Sequence, residues 1–230
     1  MHVDQLINKF ARTLPGVNAK ECRLLHKLAI TAPSNGVIVE IGSYIGKSTI
    51  FLAAGAMAGH GQKVYAIDPH ENTYEHQQPG VPSNTLAQFY ANLKAAEVEQ
   101  QVVQITDFST HVAPTWKDPI AMVFIDGDNR YEPAKADLKM FEQFCMDGAI
   151  IAMHDTVGRI GSGLDRKSGA AKAAHKHVLM NKNFRAEGLR QSITYARYRP
   201  QQRHVPLVNF FVDAKRRFYE LVMFVRIALR

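Results

Sequence analysis

Between residues 37 and 153 the chain repeats one pattern: a short unbroken apolar run that ends in a polar or glycine-containing turn. The runs are Val37–Ile41, Val64–Ile67, Gln101–Ile105, Ile120–Ile125 and Gly148–Met153. Helical spacing fills much of the sequence between them, over Ile45–Met57, residues 84–97 and Pro133–Phe144, the last with Ala134, Leu138 and Phe141 on one face. A strand with one wet face alternates polar and apolar residues. These runs do not, so both faces of each strand need cover. A parallel sheet with helices on both sides supplies it, and right-handed crossovers give a doubly wound α/β fold. Ser192–Arg199 does alternate and is predicted to be a late antiparallel edge strand. Residues 3–32 read as two helices parted at Pro15-Gly16, with Asn18 capping the second and Leu24, Leu25, Leu28 and Ile30 as its apolar side.

At 230 residues, 46% hydrophobic and 21% charged, the chain has the makings of one soluble domain. Domain boundaries are expected at 1–200, with the N-terminal helices in 1–32, and at 201–230 for a C-terminal helix. Cys22 and Cys145 lie in no metal-binding spacing, which points to buried thiols in a reducing compartment. No secretory leader and no apolar stretch of membrane-spanning length is visible, so a cytoplasmic location is expected. The net charge of +7 is uneven: residues 1–155 carry −5 and residues 156–230 carry +12. The basic third suits either an anionic partner or a solvated surface.

The first run leads into Glu40-Ile-Gly-Ser-Tyr-Ile-Gly-Lys-Ser48 and then a helix. Glycines there let the backbone turn sharply, and the helix offers free N–H groups. Three readings compete. A phosphate-binding P-loop needs four residues between its glycines, and Gly42 to Gly46 leaves three. A dinucleotide loop needs a glycine where Glu40 stands. The third pattern, E-x-G-x-x-x-G followed by a hydroxyl residue, resembles motif I of class I methyltransferases. That resemblance implies that Glu40 meets the cationic amino acid end of S-adenosylmethionine. Gly42, Ser43, Tyr44, Gly46 and Ser48 would shape the bend beneath the cofactor. Asp68 closes the second strand, where a carboxylate can accept from ribose hydroxyls. As structure alone, Glu40 would be a strand-end acid and Asp68 a helix cap.

The fourth run ends at Asp126, and the fifth at His154-Asp155. Ligands of an open parallel sheet bind outside the carboxyl ends of its strands, so these residues are expected at one edge. Two carboxylates and an imidazole there make a candidate site for a divalent cation, Mg or Mn. Otherwise Asp126 orders its loop and His154 packs.

Together, VEIGSYIGKST, VYAIDPHE, FIDGDNRYEPAKADL and GAIIAMHDT resemble the methyltransferase-24 family, a branch of the catechol-O-methyltransferase-like enzymes. The resemblance spans residues 35–160. It implies a Rossmann-like fold with a seven-stranded, mostly parallel sheet and helices on both faces. It also implies S-adenosylmethionine as cofactor and methylation of a hydroxyl on a small molecule or glycan. Asp68 falls at the ribose, Asp107 near the adenine, and Asp126, His154 and Asp155 at the metal. Two positions depart from the pattern. Asn129 stands where relatives carry a basic residue and cannot take a proton. His154 stands where metal-dependent relatives carry a carboxylate, which suits Mn, Fe or Zn better than Mg. Asp126 and His154 are the expected catalytic residues, His154 as substitute base. A repurposed member of the fold, binding cofactor or glycan without transfer, is the rival that Asn129 favours. A P-loop-like nucleotide enzyme is a further alternative.

On a helical wheel of residues 207–230, Asp213, Arg216, Arg217 and Glu220 gather on one side and Ala214, Phe218, Leu221, Val225 and Leu229 on the other. Such a basic amphipathic helix packs on its own domain, forms a homodimer contact, or lies on the anionic inner face of a membrane. No motif for nucleic acid is present. The stretch Ala174–His177 reads as a solvated helix face rather than a metal site.

Overall fold

A computed structural model describes residues 2–71, 73, 82–157, 169–200, 209–215 and 217–218. Five strands run parallel: β1 (Val37–Ile41), β2 (Val64–Ile67), β3 (Val102–Ile105), β4 (Ile120–Ile125) and β5 (Cys145–Met153). With β6 (Phe184–Arg190) and β7 (Ile193–Tyr198) they form one seven-stranded sheet in the order β3-β2-β1-β4-β5-β7-β6. β7 is antiparallel to both of its neighbours. The order reverses between β1 and β4, and there the carboxyl ends of neighbouring strands diverge into a crevice.

Alternate strand residues serve two cores, which is why the runs are apolar throughout. Ile38, Met122, Phe124 and Ile150 face α2 (Ala19–Ile30) and α3 (Lys47–Ala58), while Val39, Ile41, Val123 and Ile151 face α6 (Tyr131–Glu142) and α7 (Gly169–Ala174). Helix α3 is buried almost all round, as its sequence KSTIFLAAGAMA requires. Asn18 caps α2 as expected, and Glu21 completes a reciprocal capping box with it. The other helices are α1 (Val3–Leu6), α4 (Leu86–Ala95) and α5 (Ser109–Val112).

One expectation needs correcting. The alternating strand at 193–198 lies inside the sheet, hydrogen-bonded on both sides, and β6 forms the edge. β6 escapes pattern reading because its register shifts between Ala186 and Gly188, which breaks the alternation of its buried residues Phe184, Ala186 and Leu189.

Residues 209–215 and 217–218 are helical. Asn209 is buried, donates to the carbonyls of Leu179 and Phe184, and accepts from the amide of Ala186. Asp213 is also buried, beside His175 and Arg217, whereas Phe210, Phe211 and Phe218 are exposed. The polar residues thus dock this stretch on its own domain, and Asp213 and Phe218 reverse the sides that a simple wheel gives them. The remainder of the expected C-terminal helix, including Arg216 and Glu220, lies outside the described residues, as does most of loops 72–84 and 156–170. Among the described residues no helix is long and apolar enough to cross a membrane.

Candidate functional site

The bend after β1 is built from backbone. Gly42 and Gly46 have φ of 84° and 85°, and Tyr44 between them has 48°. A non-glycine residue held in that region is uncommon and marks constraint. A Cβ on Gly42 would lie 2.4 Å from the carbonyl oxygen of Asp126, so the glycine lets the end of β1 pass against the end of β4. Asp68 fastens the bend to β2. Its Oδ2 accepts from the amides of Ser43 and Tyr44, each at 2.8 Å, and its Oδ1 accepts from the amide of His70 at 2.7 Å. The carboxylate still borders the cavity over the sheet edge, and its Oδ1 keeps a lone pair for a further donor.

Glu40 is fully buried below the bend. Thr49 Oγ1 donates to its Oε2 at 2.5 Å, and Oε1 has no hydrogen-bond partner. Burial pushes this carboxyl up to about 8 against the pull of the neighbouring Ser48 and Thr49 hydroxyls, with Asp126 and Asp68 adding like charge. A buried acceptor with an unused oxygen suits a cationic ligand group overhead. Glu40 does not itself line the cavity, so Ser48 and Glu40 act as the floor of the bend. Lys47 settles the P-loop alternative on geometry: its ammonium donates to the carbonyl of Leu14 at 2.6 Å and is buried against the N-terminal segment. A P-loop lysine must instead reach over its own loop to a phosphate.

The cavity holds about 420 Å³ and runs from Gly42, Tyr44 and Asp68 past Asp126 to α5 and α6. That size is ordinary for a small-molecule site. Asp107 is half-buried and does not line the cavity; its Oδ1 lies 2.8 Å from His111 Nδ1, and this partner holds its carboxyl below the usual range. The next three residues, Phe108, Ser109 and Thr110, line the cavity in its place.

At the ends of β4 and β5 the structure brings Asp126, His154 and Asp155 together, with one ligand atom from each within 4.8 Å of the others. His154 Nδ1 lies 2.9 Å from Asp126 and 3.4 Å from Asp155. Its Nε2 lies 3.5 Å from Glu21, a residue the sequence did not single out. These are ion-pair contacts, since neither ring nitrogen is aligned for a straight hydrogen bond. Asp155 sits at φ 52°, a second strained non-glycine position beside the cavity edge.

Glu21 is buried and fixed from three sides. Its Oε1 accepts from Ser192 N at 3.0 Å and Oγ at 2.7 Å, and its Oε2 accepts from Asn18 N at 2.8 Å. Burial raises its carboxyl, but the His154, Asn18 and Ser192 contacts outweigh that and hold it at about 2. Burial lowers His154, yet Asp126, Asp155 and Glu21 together push it far above its ordinary range. Burial, with Asp155 and Glu21 nearby, raises Asp126. The three carboxylates thus favour the charged imidazole, while burial favours the protonated form of Asp126. The only sequence trace of Glu21 is its place in the Asn18-x-x-Glu21 box; its contact with Ser192, in the turn before β7, spans 171 residues and leaves no local signal.

Comparison with known proteins agrees with this architecture. A family model described as a methyltransferase domain, Methyltransf_24, matches residues 39–156. Among solved structures, cofactor-bound Rv0187 from MTB is 23% identical, with a TM-score of 0.64 over 86% of this chain and 88% of that one. The O-methyltransferase TomG from Streptomyces achromogenes, in complex with SAM, is 20% identical, with a TM-score of 0.62 over 85% and 90%. CalS11, a TDP-rhamnose 3'-O-methyltransferase, is 20% identical, with a TM-score of 0.55 over 86% and 87%. At these identities the structures support the fold, and the family match over half of the sequence supports the kinship. The chain belongs to the Methyltransf_24 family of class I, S-adenosylmethionine-dependent methyltransferases.

Proposed function

We propose that the chain moves the sulfonium methyl of S-adenosylmethionine onto a hydroxyl oxygen of a small molecule or sugar. The observation that carries this reading is the position of Asp126, which borders both the large cavity at the glycine bend and a recess shared with His154 and Asp155. A donor on the bend and an acceptor at the acidic cluster would thus meet at one carboxylate. The names of TomG and CalS11 describe O-methyl transfer, to a sugar nucleotide in the second case, which supports oxygen and a glycan-like acceptor.

S-adenosylmethionine supplies an electrophilic methyl and a neutral leaving group. The bend and Asp68 would hold its adenosyl part, with the buried Glu40 beneath the bend supplying negative potential toward its cationic end. The cluster positions the acceptor oxygen at about 3 Å and in line, so most of the rate comes from orientation. Asp126, which borders both the cavity and the recess, would take the acceptor's proton as the methyl is transferred. His154, held charged by Glu21 and Asp155, stabilises that carboxylate and sets its position. A divalent cation fits the same donors, because one imidazole nitrogen and two carboxylates converge there, a set that favours Mn, Fe or Zn; it would lower the pKa of an acceptor hydroxyl. Calorimetry with S-adenosylhomocysteine, with and without Mn or Mg, tests the reading. Binding is expected, and its absence while a nucleoside triphosphate binds would sink it.

Asn129 supports a second reading, a binder that does not transfer methyl. It is exposed at the mouth of the recess and offers no proton-accepting group. Tight binding of S-adenosylhomocysteine without turnover on any hydroxyl acceptor would favour it. The exposed Phe210, Phe211 and Phe218 beside a basic C-terminal segment support peripheral contact with an anionic membrane face from the cytoplasmic side. Flotation on anionic liposomes with and without residues 205–230 checks this, and equal behaviour would remove it.

A further inference from the structure

Outside the cofactor cavity, α6 and α7 gather cations around one aromatic ring. Tyr131, the first residue of α6, has Lys172 Nζ at 4.4 Å from its ring centroid and Lys135 and Lys176 Nζ at 5.8 Å each. A ring attracts an ammonium within about 6 Å, so Tyr131 accounts for Lys172 and barely for the other two. Lys135 has a carboxylate partner, the exposed Glu132 at 3.1 Å. Lys172 and Lys176 are exposed, and among the described residues no carboxylate pairs with either. The ring is held in place, since its hydroxyl lies 3.0 Å from Nε2 of His177. Burial, then Lys139, Lys135 and Lys176, lower His177 below its ordinary range, in keeping with positive potential on this face.

This cluster is fastened to the recess. The amide of Ala170 donates to the carbonyl of Asn129 at 2.8 Å, and a Cβ on Gly169 would lie 2.1 Å from the Tyr131 nitrogen. Helix α7 therefore sits directly on the loop that leads from Asp126 to α6. Asn129 and Ala170 line the recess together with His154 and Asp155. Lys172 and Lys176 follow Ala170 within about 10 Å along the helix axis.

We propose that the methyl acceptor carries a phosphate or diphosphate group, held by Lys172, Lys176 and Lys135 around Tyr131 while its hydroxyl enters the recess. Three ammonium groups outnumber the two oxygens and single charge of a carboxylate. A phosphate offers three oxygens and up to two charges, and lysine binds it as a point charge. The proposal rests on the methyl-transfer reading and names the acceptor's chemical class.

The test uses the full chain and calorimetry without added metal, first with S-adenosylhomocysteine and then with inorganic pyrophosphate. Wild type is expected to bind pyrophosphate with a dissociation constant of about a millimolar or below, weakening several-fold as NaCl rises from about 50 to about 200 mM. Lys172→Gln/Lys176→Gln should weaken pyrophosphate by about tenfold and leave S-adenosylhomocysteine within about twofold. The control Lys27→Gln/Lys94→Gln removes two exposed charges from α2 and α4 and should change neither. No pyrophosphate binding, or an equal loss in both double variants, overturns the proposal. So does flotation on phosphatidylglycerol vesicles that the lysine pair controls while free pyrophosphate does not bind, because the cluster is then a membrane contact. If S-adenosylhomocysteine itself fails to bind, the methyl-transfer reading falls and the acceptor role falls with it. If it binds and pyrophosphate does not, only the present inference falls.

Discussion

The two halves of the site are built in opposite ways. On the β1–β2 side, one short segment from Glu40 to Ser48 makes the bend, and Asp68 ties it down through backbone amides. On the β4–β5 side, His154 is caged by carboxylates from three parts of the chain, and its most buried neighbour, Glu21, comes from α2 and is fixed by Ser192, just before β7. The first half is backbone geometry, which few substitutions can imitate. The second is side-chain electrostatics, whose members can be altered singly without moving the chain. Substitutions in the first half should therefore damage folding and cofactor affinity, and those in the second should damage turnover.

Gly42→Ala should have the largest effect. The added Cβ meets the end of β4 at 2.4 Å with φ at 84°, so a loss of about 3 kcal/mol or more is expected. A thermal melt within a degree or two of wild type would mean that the bend is softer than its geometry implies. Asp126→Ala and Asp68→Ala should then part company. The first should cut turnover by about a hundredfold while S-adenosylhomocysteine affinity stays within about threefold. The second should weaken that affinity by about ten- to a hundredfold. Equal loss of affinity in both variants would dissolve the division. Glu21→Gln keeps a group able to complete the capping box but removes the charge facing His154. Turnover should fall by about tenfold, with S-adenosylhomocysteine affinity unchanged. Glu21 is then a positioning residue, and a matching fall in cofactor affinity would contradict that.

The smallest expected effect is a pH dependence. Glu40 has its pKa raised from 4.5 to about 8 in the folded chain, so its stability contribution is fully present below 4.5 and declines as pH rises through about 8. The apo protein's melting temperature should fall across that window more steeply in wild type than in Glu40→Gln. Parallel curves would show that Glu40 ionises normally.

Much of the first half could be read from the chain. The runs at β1, β2 and β4 match their strands, and the glycine spacing marks the bend because its conformational demands are local. Asp126, His154 and Asp155 were legible too, since the carboxyl ends of parallel strands share one edge. The edge strand β6 was not, because its bulge hides its period. Nor was the direction of Asp107, which a neighbouring histidine decides.

The sequence by itself determined that five apolar runs would be covered on both faces and that a strained turn would follow the first. Both follow from contacts within a few residues, or from burial that each run requires on its own. Only the tertiary structure decided that Glu21 stands behind His154, that Lys47 turns to Leu14, and that Asp137 rather than Asp107 faces the cavity. A polar side chain's role depends on which distant charge or donor it meets, and that meeting is set by how the layers pack.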